Sequence, residues 1–385
     1  MDSKSAGLYI HVPFCASFCD YCDFYSVAAD ETSSLLDSYV KAVIEDIKYQ
    51  IEYFNVDEIT TIYIGGGTPS VLGAERLEVL LDALKKLKPV EFSIEANPES
   101  VTKELLSVCR EGGVNRLSAG VQSFYAPSRL SVNRTGNAEK LREQLELVSG
   151  FFPGAFSADL IAGLPFQSAE TVLDDIKKTL DFNPAHVSLY SLAAEKDTPL
   201  ENKIKAKEIV LADRDDADAL WLCARDALKN AGFDHYEISN FALPGKYCLH
   251  NMNYWNMGSW LGAGPAASGT IINEEEASGK RFTYKADLQS YLKAPFIKNA
   301  VCEELDKTSL LKESLLMGFR LREGPDMEKF KSRFGFGIED CIGQTLERWK
   351  GRDKMLFLNS FLSEAFLELE KPAAPQPDPF RVLVP

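Results

Sequence analysis

Leu8-Tyr-Ile-His-Val-Pro-Phe-Cys-Ala-Ser-Phe-Cys-Asp-Tyr-Cys22 begins as a short apolar run, Leu8–Val12, and ends in three cysteines spaced Cys15-x3-Cys19-x2-Cys22. The run reads as a β-strand and the cysteines as a loop at its carboxyl end. Three thiols on so short a loop can converge on one metal centre. Structural zinc needs a fourth ligand, which His11, Asp20 or Asp23 could supply, since no second cysteine pair is present. A [4Fe–4S] cluster also takes four thiolates as a rule, so three would leave one iron open to a chelating ligand. The remaining cysteines, Cys109, Cys223, Cys248, Cys302 and Cys341, are scattered singly over 385 residues. They are too sparse for a disulfide scaffold and read as small buried residues.

Beyond that loop, short β-branched or aromatic runs recur between longer helical patterns. Strands are expected at Leu8–Val12, Thr61–Ile64, Glu91–Glu95, Arg116–Val121, Ala155–Ala162, Val187–Leu192 and Tyr236–Phe241. Ala169–Phe182 sets Val172, Leu173, Ile176 and Leu180 at helical spacing, with Ser168 as N-cap and Glu170 in the first turn. A second helix is expected from Asp213 to Ala231, stopped by Gly232. The alternation predicts the α/β class: βαβ units in a partial or closed (β/α) barrel. The strands run into Gly65-Gly-Gly-Thr-Pro69, Glu95-Ala-Asn-Pro98, Gln122-Ser123, Gly163-Leu-Pro165 and, after the sixth, Glu195. In a barrel such ends share one face, where ligands bind, and Glu95, Gln122, Asp159 and Glu195 all fall in that carboxyl half.

From about Ala294 the pattern turns helical, around Lys312–Leu321, Ile338–Trp349 and Asn359–Leu369. The expected division is a barrel domain over 1–294, a smaller, mainly helical C-terminal domain over 295–370, and an extended tail over 371–385. Hydrophobic residues make up 45% and charged residues 26%, which excludes disorder of the whole chain. Lys and Arg number 42 against 57 Asp and Glu, a net charge of −15. A chain this acidic gains little from counterion release, so no nucleic-acid partner is expected. No apolar run approaches the roughly 18 residues of a membrane span. Met1-Asp-Ser-Lys-Ser5 leads into no secretory h-region, so a cytoplasmic location is expected.

Two motifs together, the cysteine loop and Gly65-Gly-Gly-Thr-Pro69, resemble those of the radical S-adenosylmethionine superfamily. There the methionine part of the cofactor occupies the open iron and the glycine motif contacts its amino group. Glycines leave no Cβ between backbone and ligand. This run is neither a P-loop nor a dinucleotide fingerprint, because no Gly-Lys-Ser/Thr follows and Thr68-Pro69 interrupts it. The resemblance narrows to the group of oxygen-independent coproporphyrinogen dehydrogenases and their relatives. It extends through Tyr9-Ile-His-Val-Pro-Phe-Cys15, Ile94-Glu-Ala-Asn-Pro98, Gly120-Val-Gln-Ser-Phe124, Asp159-Leu-Ile-Ala-Gly-Leu-Pro165 and Tyr236-Glu-Ile-Ser-Asn-Phe241. It implies a [4Fe–4S] cluster on Cys15, Cys19 and Cys22. It also implies S-adenosylmethionine contacts at Tyr9, Tyr21, Gly66, Gly67, Thr68, Glu95, Gln122, Arg134, Asp159 and Ala193. Glu95 and Asp159 can accept hydrogen bonds from ribose hydroxyls or the ammonium, and Gln122 can both donate and accept.

Two departures separate the chain from the dehydrogenases. Their cysteine motif continues to a fourth cysteine where this chain has Phe24, and their Gly-Arg-x-His pattern survives only in part, as Asn133-Arg134-Thr135-Gly136. Phe24 instead matches the HemW-type haem chaperones, as does His250-Asn-Met-Asn-Tyr-Trp255. That resemblance implies a chaperone that binds haem, the cluster and S-adenosylmethionine, without dehydrogenase activity. Haem-acceptor proteins and an electron donor are its implied partners. His250 is the candidate axial ligand, Cys248 its rival, and Tyr254 and Trp255 an aromatic wall for the macrocycle. The alternative is a radical enzyme, a coproporphyrinogen III dehydrogenase or a related methyltransferase.

Overall fold

Residues at alternate positions of the first strands are chemically opposite, and this alternation organises the molecule. The computed structural model describes residues 4–30, 32–134, 136–294 and 296–370. Thr135 and the tail expected over 371–385 lie outside the described residues. Six strands, β1 (Ser5–Val12), β2 (Glu58–Gly66), β3 (Glu91–Ala96), β4 (Arg116–Gln122), β5 (Phe156–Ala162) and β6 (His186–Ser191), pair in that order, all parallel. Successive side chains point to opposite faces of a strand. One set, including Leu8, Ile10, Ile62, Ile64, Phe92, Ile94, Leu117, Ala119, Ala158 and Leu189, is buried in the main apolar core. The intervening set is polar: Tyr9 and His11, Thr61 and Tyr63, Ser93 and Glu95, Ser118, Asp159, Ser188 and Tyr190. The core side carries the connecting helices, so the other side forms an inner wall suited to a polar ligand.

The helices follow their sequence signals. Ser168 Oγ accepts from the Thr171 N–H while Thr171 Oγ1 accepts from the Ser168 N–H, a capping box that starts the helix Ala169–Leu180. Asp213 caps Arg214–Asn230, and Gly232 after it takes φ +89°. The fold is the expected α/β type, and the described strands of its main sheet follow one another in a single open order. The sheet runs on past both edges of the parallel block. β8 (Asn240–Ala242) pairs antiparallel with β6, and β7 (Asp234–His235) pairs with β8, so the strand expected over Tyr236–Phe241 is a hairpin instead. Beyond β1 lies β9 (Trp260–Ala263), parallel to it. An antiparallel arm of β10 (Ser268–Asn273), β11 (Ser278–Thr283) and β12 (Val301–Leu305) follows. The resulting order is β12-β11-β10-β9-β1-β2-β3-β4-β5-β6-β8-β7, twelve strands with two free edges among those described.

Two polar clamps fix the outlying parts. Asp46, on the helix Ser34–Phe54, accepts from the hydroxyls of Tyr284 (2.7 Å) and Tyr291 (2.8 Å) beside the arm. Burial pushes its carboxyl up to about 7 even though these bonds oppose the shift. The helices Lys307–Gly318, Met327–Phe334, Glu339–Arg348 and Leu358–Leu369 enclose a second core that includes Leu315, Phe330, Phe334, Ile342 and Phe361. Arg333, 3% exposed, holds this unit to the sheet. It donates to both Glu274 carboxylate oxygens, at 2.6 and 2.7 Å, and to the Met257 carbonyl at 2.8 Å.

Candidate functional site

At the carboxyl end of β1 the chain turns through Pro13 into the cysteine loop, and the glycine run after β2 holds it. The Gly67 N–H donates to the Val12 carbonyl (2.8 Å) and the Thr68 N–H to the Phe14 carbonyl (2.7 Å). A Cβ on Gly67 would stand 2.6 Å from the Phe14 oxygen and 2.9 Å from the Val12 oxygen. On Gly66, at φ +105°, it would stand 2.6 Å from the His11 ring. The glycines are therefore required by the close approach of the cysteine loop itself, before any ligand is considered. The far side of the loop is tied down as well. The Asp20 N–H donates to the Val132 carbonyl at 3.0 Å, and the Asp20 carboxylate pairs with Lys203 at 2.5 Å.

Cys15 is buried, while Cys19 and Cys22 are half-buried. Thr68 Oγ1 donates to Cys15 Sγ (3.5 Å) and Arg134 Nη1 to Cys19 Sγ (3.4 Å). Burial pushes the Cys22 thiol up to about 11, and the neighbouring Cys19 and Cys15 raise it further. Three thiolates this close would repel one another unless a cationic centre compensated them. Among the described residues no three His, Cys, Asp or Glu side chains close on the position of a single metal ion. A four-iron cluster would give each of the three thiolates an iron of its own. Two of the candidate fourth ligands for zinc are already engaged. His11 Nε2 bonds the Tyr25 carbonyl at 2.8 Å and its Nδ1 lies 3.1 Å from the Tyr9 hydroxyl, while Asp20 is ion-paired. Asp23 is exposed.

Beside the loop, the polar faces of β2 to β6 form a wall. Glu95 accepts from the Tyr63 hydroxyl (2.8 Å) and the Gly66 N–H (3.3 Å). Burial and the nearby Asp159 charge push its carboxyl up to about 7. Asp159 accepts from Ser118 Oγ at 2.9 and 3.1 Å, and burial pushes it up to about 6. Tyr190 exposes 45% of its surface, yet burial raises its phenol well above the usual range. Gln122 takes φ +68° where the β4–β5 register shifts, a bulge that re-aims its side chain. Arg134 donates to the Gly120 carbonyl (2.6 Å) and Asn97 Oδ1 (3.2 Å), leaving a buried Nε without a partner.

The sequence-derived positions thus gather into linked groups. Tyr21, Arg134 and Cys19 form one, since the Cys19 thiol and burial both raise the Tyr21 phenol. Gly66, Glu95 and Asp159 form another, and Tyr9 stacks on Tyr63 with ring centres 6.4 Å apart. Ala193 is exposed just beyond β6. Sequence reading missed Tyr63, Ser118, Ser188 and Tyr190. Their signal was the strict polar–apolar alternation within each strand.

His250, 1% exposed on the short helix Leu249–Trp255, packs against the wall itself, its ring stacked on Tyr63 with centres 5.3 Å apart. Nδ1 is 2.8 Å from Thr61 Oγ1 and Nε2 is 2.8 Å from the Tyr254 hydroxyl, so both ring nitrogens are engaged. Burial pushes the imidazole down to about 3, keeping it neutral. Iron coordination would require one of these bonds to break. Cys248 is 2% exposed and 3.4 Å from Glu91 Oε1, its thiol pushed up to about 12 by burial and by the Glu91 charge. The same Glu91 carboxylate accepts the N–H groups of Leu249 (3.0 Å) and His250 (2.9 Å), which starts the helix.

Comparison with known proteins agrees with this architecture. Residues 9–179 match the Radical SAM superfamily. The heme chaperone HemW of Lactococcus lactis is 34% identical over 351 residues, covering 90% of this chain and 89% of that protein. HemW of Escherichia coli is 32% identical over 384 residues, covering 94% and 98%. Coproporphyrinogen III oxidase (HemN) from Escherichia coli, described as a radical SAM enzyme, superposes with a TM-score of 0.78 over 94% of this chain and 90% of its own. At 19% identity that last likeness is one of fold. Identity of about one third over 90–94% of the chain decides the relationship: the chain belongs to the heme chaperone HemW family of the Radical SAM superfamily.

Proposed function

We propose that this chain binds haem together with a [4Fe–4S] cluster and S-adenosylmethionine, and delivers haem to acceptor proteins. The observation that carries this reading is the near full-length identity with HemW chaperones, 34% and 32%. Cys15, Cys19 and Cys22 hold the cluster, which when reduced supplies single electrons to a sulfonium bound beside it. Thr68 and Arg134 donate hydrogen bonds to the Cys15 and Cys19 sulfurs. Tyr9, Tyr21, Gly66, Gly67, Thr68, Glu95, Gln122, Arg134, Asp159 and Ala193 form the cofactor wall. Glu95 and Asp159 are its acceptors, and Gln122 is donor and acceptor.

Phe24, 62% exposed, stands where the dehydrogenases carry a fourth cysteine, and the reading includes no dehydrogenase activity. An electron donor and haem acceptors are its proposed partners, with no nucleic acid among them. A cytoplasmic location goes with the finding that no described helix is long and apolar enough to cross a membrane. The proposed units remain 1–294 and 295–370, with β12 of the second completing the sheet of the first. His250 is the proposed haem-iron ligand in a state where its bond to Tyr254 has opened, and Cys248 is the rival.

The test titrates anaerobically reconstituted protein with haem and with coproporphyrinogen, assaying 5′-deoxyadenosine and decarboxylated product. Haem binding without decarboxylation is expected, and turnover of coproporphyrinogen would replace this reading with the radical-enzyme one. His250→Ala should move the Soret band. If only Cys248→Ser moves it, the thiolate is the ligand.

A further inference from the structure

The His250 ring cannot meet a haem iron from where it lies. Its face stacks on Tyr63 with centres 5.3 Å apart, and Tyr254 meets it edge-on at 4.7 Å. On the β1 side only a glycine leaves it room, since a Cβ on Gly7 would stand 3.4 Å from His250 Cε1 and 3.1 Å from Thr61 Oγ1. A neutral imidazole has one N–H and one lone pair. An iron-ligating ring keeps its proton on the other nitrogen, bonded to an acceptor. Thr61 Oγ1, 2.8 Å from Nδ1, is such an acceptor, so Nε2 is the atom for iron and the Tyr254 hydroxyl occupies it at 2.8 Å. A porphyrin is several times broader than the phenol it would displace. The ring must therefore come out to it, away from Tyr63.

What the ring leaves behind is joined to the cofactor wall. Thr61 and Tyr63 are alternate residues of β2, on one face of it, and the strand runs on through Gly65 to Gly66. The Tyr63 hydroxyl donates to Glu95 Oε1 at 2.8 Å, and the Gly66 N–H donates to Oε2 at 3.3 Å. Packing there is close, for a Cβ on Gly65 would stand 2.9 Å from the Tyr63 ring and 3.0 Å from the Glu95 carboxyl carbon. Tyr63 thus packs on His250 by its face and orients Glu95 by its hydroxyl. With the His250 ring in place, both contacts are made. With the ring drawn out to iron, Tyr63 loses its platform and Glu95 a fixed donor. A ligand that engages Glu95 favours the first arrangement and haem iron the second, so both sites bias one two-state element.

We propose that Tyr63 couples the two sites with opposite sign, so that S-adenosylmethionine held at Glu95 releases haem from His250. This coupling rests on the haem-chaperone reading and gives the cofactor wall a task within it. In a chain without dehydrogenase turnover, the wall serves as an effector site that discharges the cargo. The coupling is a binding equilibrium that consumes no cofactor. It is also reciprocal: haem weakens S-adenosylmethionine by the factor with which S-adenosylmethionine weakens haem.

The test titrates the full, anaerobically reconstituted chain with haem by absorbance, without and with saturating S-adenosylmethionine. Equilibrium dialysis of S-adenosylmethionine without and with haem gives the reciprocal factor. The cluster is kept oxidised, so no electron is available to cleave the sulfonium. Saturating S-adenosylmethionine should raise the haem dissociation constant about tenfold, and haem should raise that of S-adenosylmethionine equally. Tyr63→Phe, which keeps the stack on His250 and loses the bond to Glu95, should bring the factor close to one. Haem that still binds His250→Ala should be indifferent to the cofactor. Each factor is a ratio within one protein, so a loss of either affinity alone does not imitate it. A wild-type factor of one, or tighter haem binding with the cofactor present, would overturn the coupling and leave the chaperone reading intact. A factor that grows without limit with cofactor concentration would show one shared site and overturn it too, as would a factor kept in full by Tyr63→Phe. A wild type that binds no haem would overturn the chaperone reading itself.

Discussion

Gly67 carries the strictest demand at the residue scale, because both atoms its Cβ would strike belong to backbone and cannot swing aside. Gly67→Ala should displace the Phe14 and Val12 carbonyls at a cost of about 1–3 kcal/mol. It should also lower iron and sulfide content after reconstitution, although no cysteine is touched, whereas wild-type loading would show that the loop can yield. Replacing Cys15, Cys19 or Cys22 singly with Ala should abolish the brown chromophore. Full iron in all three variants would remove the cluster from this loop. Glu95 gives a pH signature. As its carboxyl is pushed up to about 7, the charged acceptor appears only as pH rises through that value. Affinity for S-adenosylmethionine should therefore rise between pH 6 and 8, by at most about tenfold per unit, and Glu95→Gln should flatten the profile. Cysteine spacing made the loop after the first strand legible in the sequence. It could not reveal that His250 is engaged, because the bond to Nδ1 comes from Thr61, 189 residues away.

Among the elements, the helix Ser34–Phe54 depends on a buried acid. The Asp46 carboxyl is raised in the fold to about 7 from an ordinary 3.8, so its contribution is full at low pH and is lost as pH rises through 7. One proton sets the limit at about 1.4 kcal/mol per pH unit. Asp46→Asn should lose less stability than the wild type between pH 6 and 8.5, read as the difference in thermal midpoints. Parallel slopes for the two proteins would show that Asp46 stays charged. Strands β1 to β6 and the capped helices were legible because each carries a local signal: alternation, a Ser or Asp cap, a glycine stop. The antiparallel arm was not. Its strands and the adjoining β9 are interrupted by Gly262, Gly269 and Gly279, residues of poor strand propensity. Two of them are there for close approach, since a Cβ on Gly262 would meet the Ser268 carbonyl and one on Gly269 the Phe282 ring. That reason exists only once the arm has folded.

For the whole molecule, Arg333 ties the C-terminal helices to the sheet alongside the Arg281–Glu313 ion pair, and its loss strands the Met257 carbonyl in the interior. Arg333→Met should cost about 1–3 kcal/mol, since Glu274 can turn to solvent. Proteolysis should then begin in the 296–306 connection rather than elsewhere, and an unchanged cleavage pattern would show that the remaining contacts hold the unit without Arg333. The two-faced sheet has a consequence for the response to temperature. Unfolding bares the helix-covered side, which raises heat capacity, but also the polar inner side, which lowers it. Calorimetry should accordingly give an increment per residue below the roughly 12–15 cal/mol/K common to globular proteins. The curve of stability against temperature would then be broad and shallow, and the fold would resist cold better than its midpoint suggests.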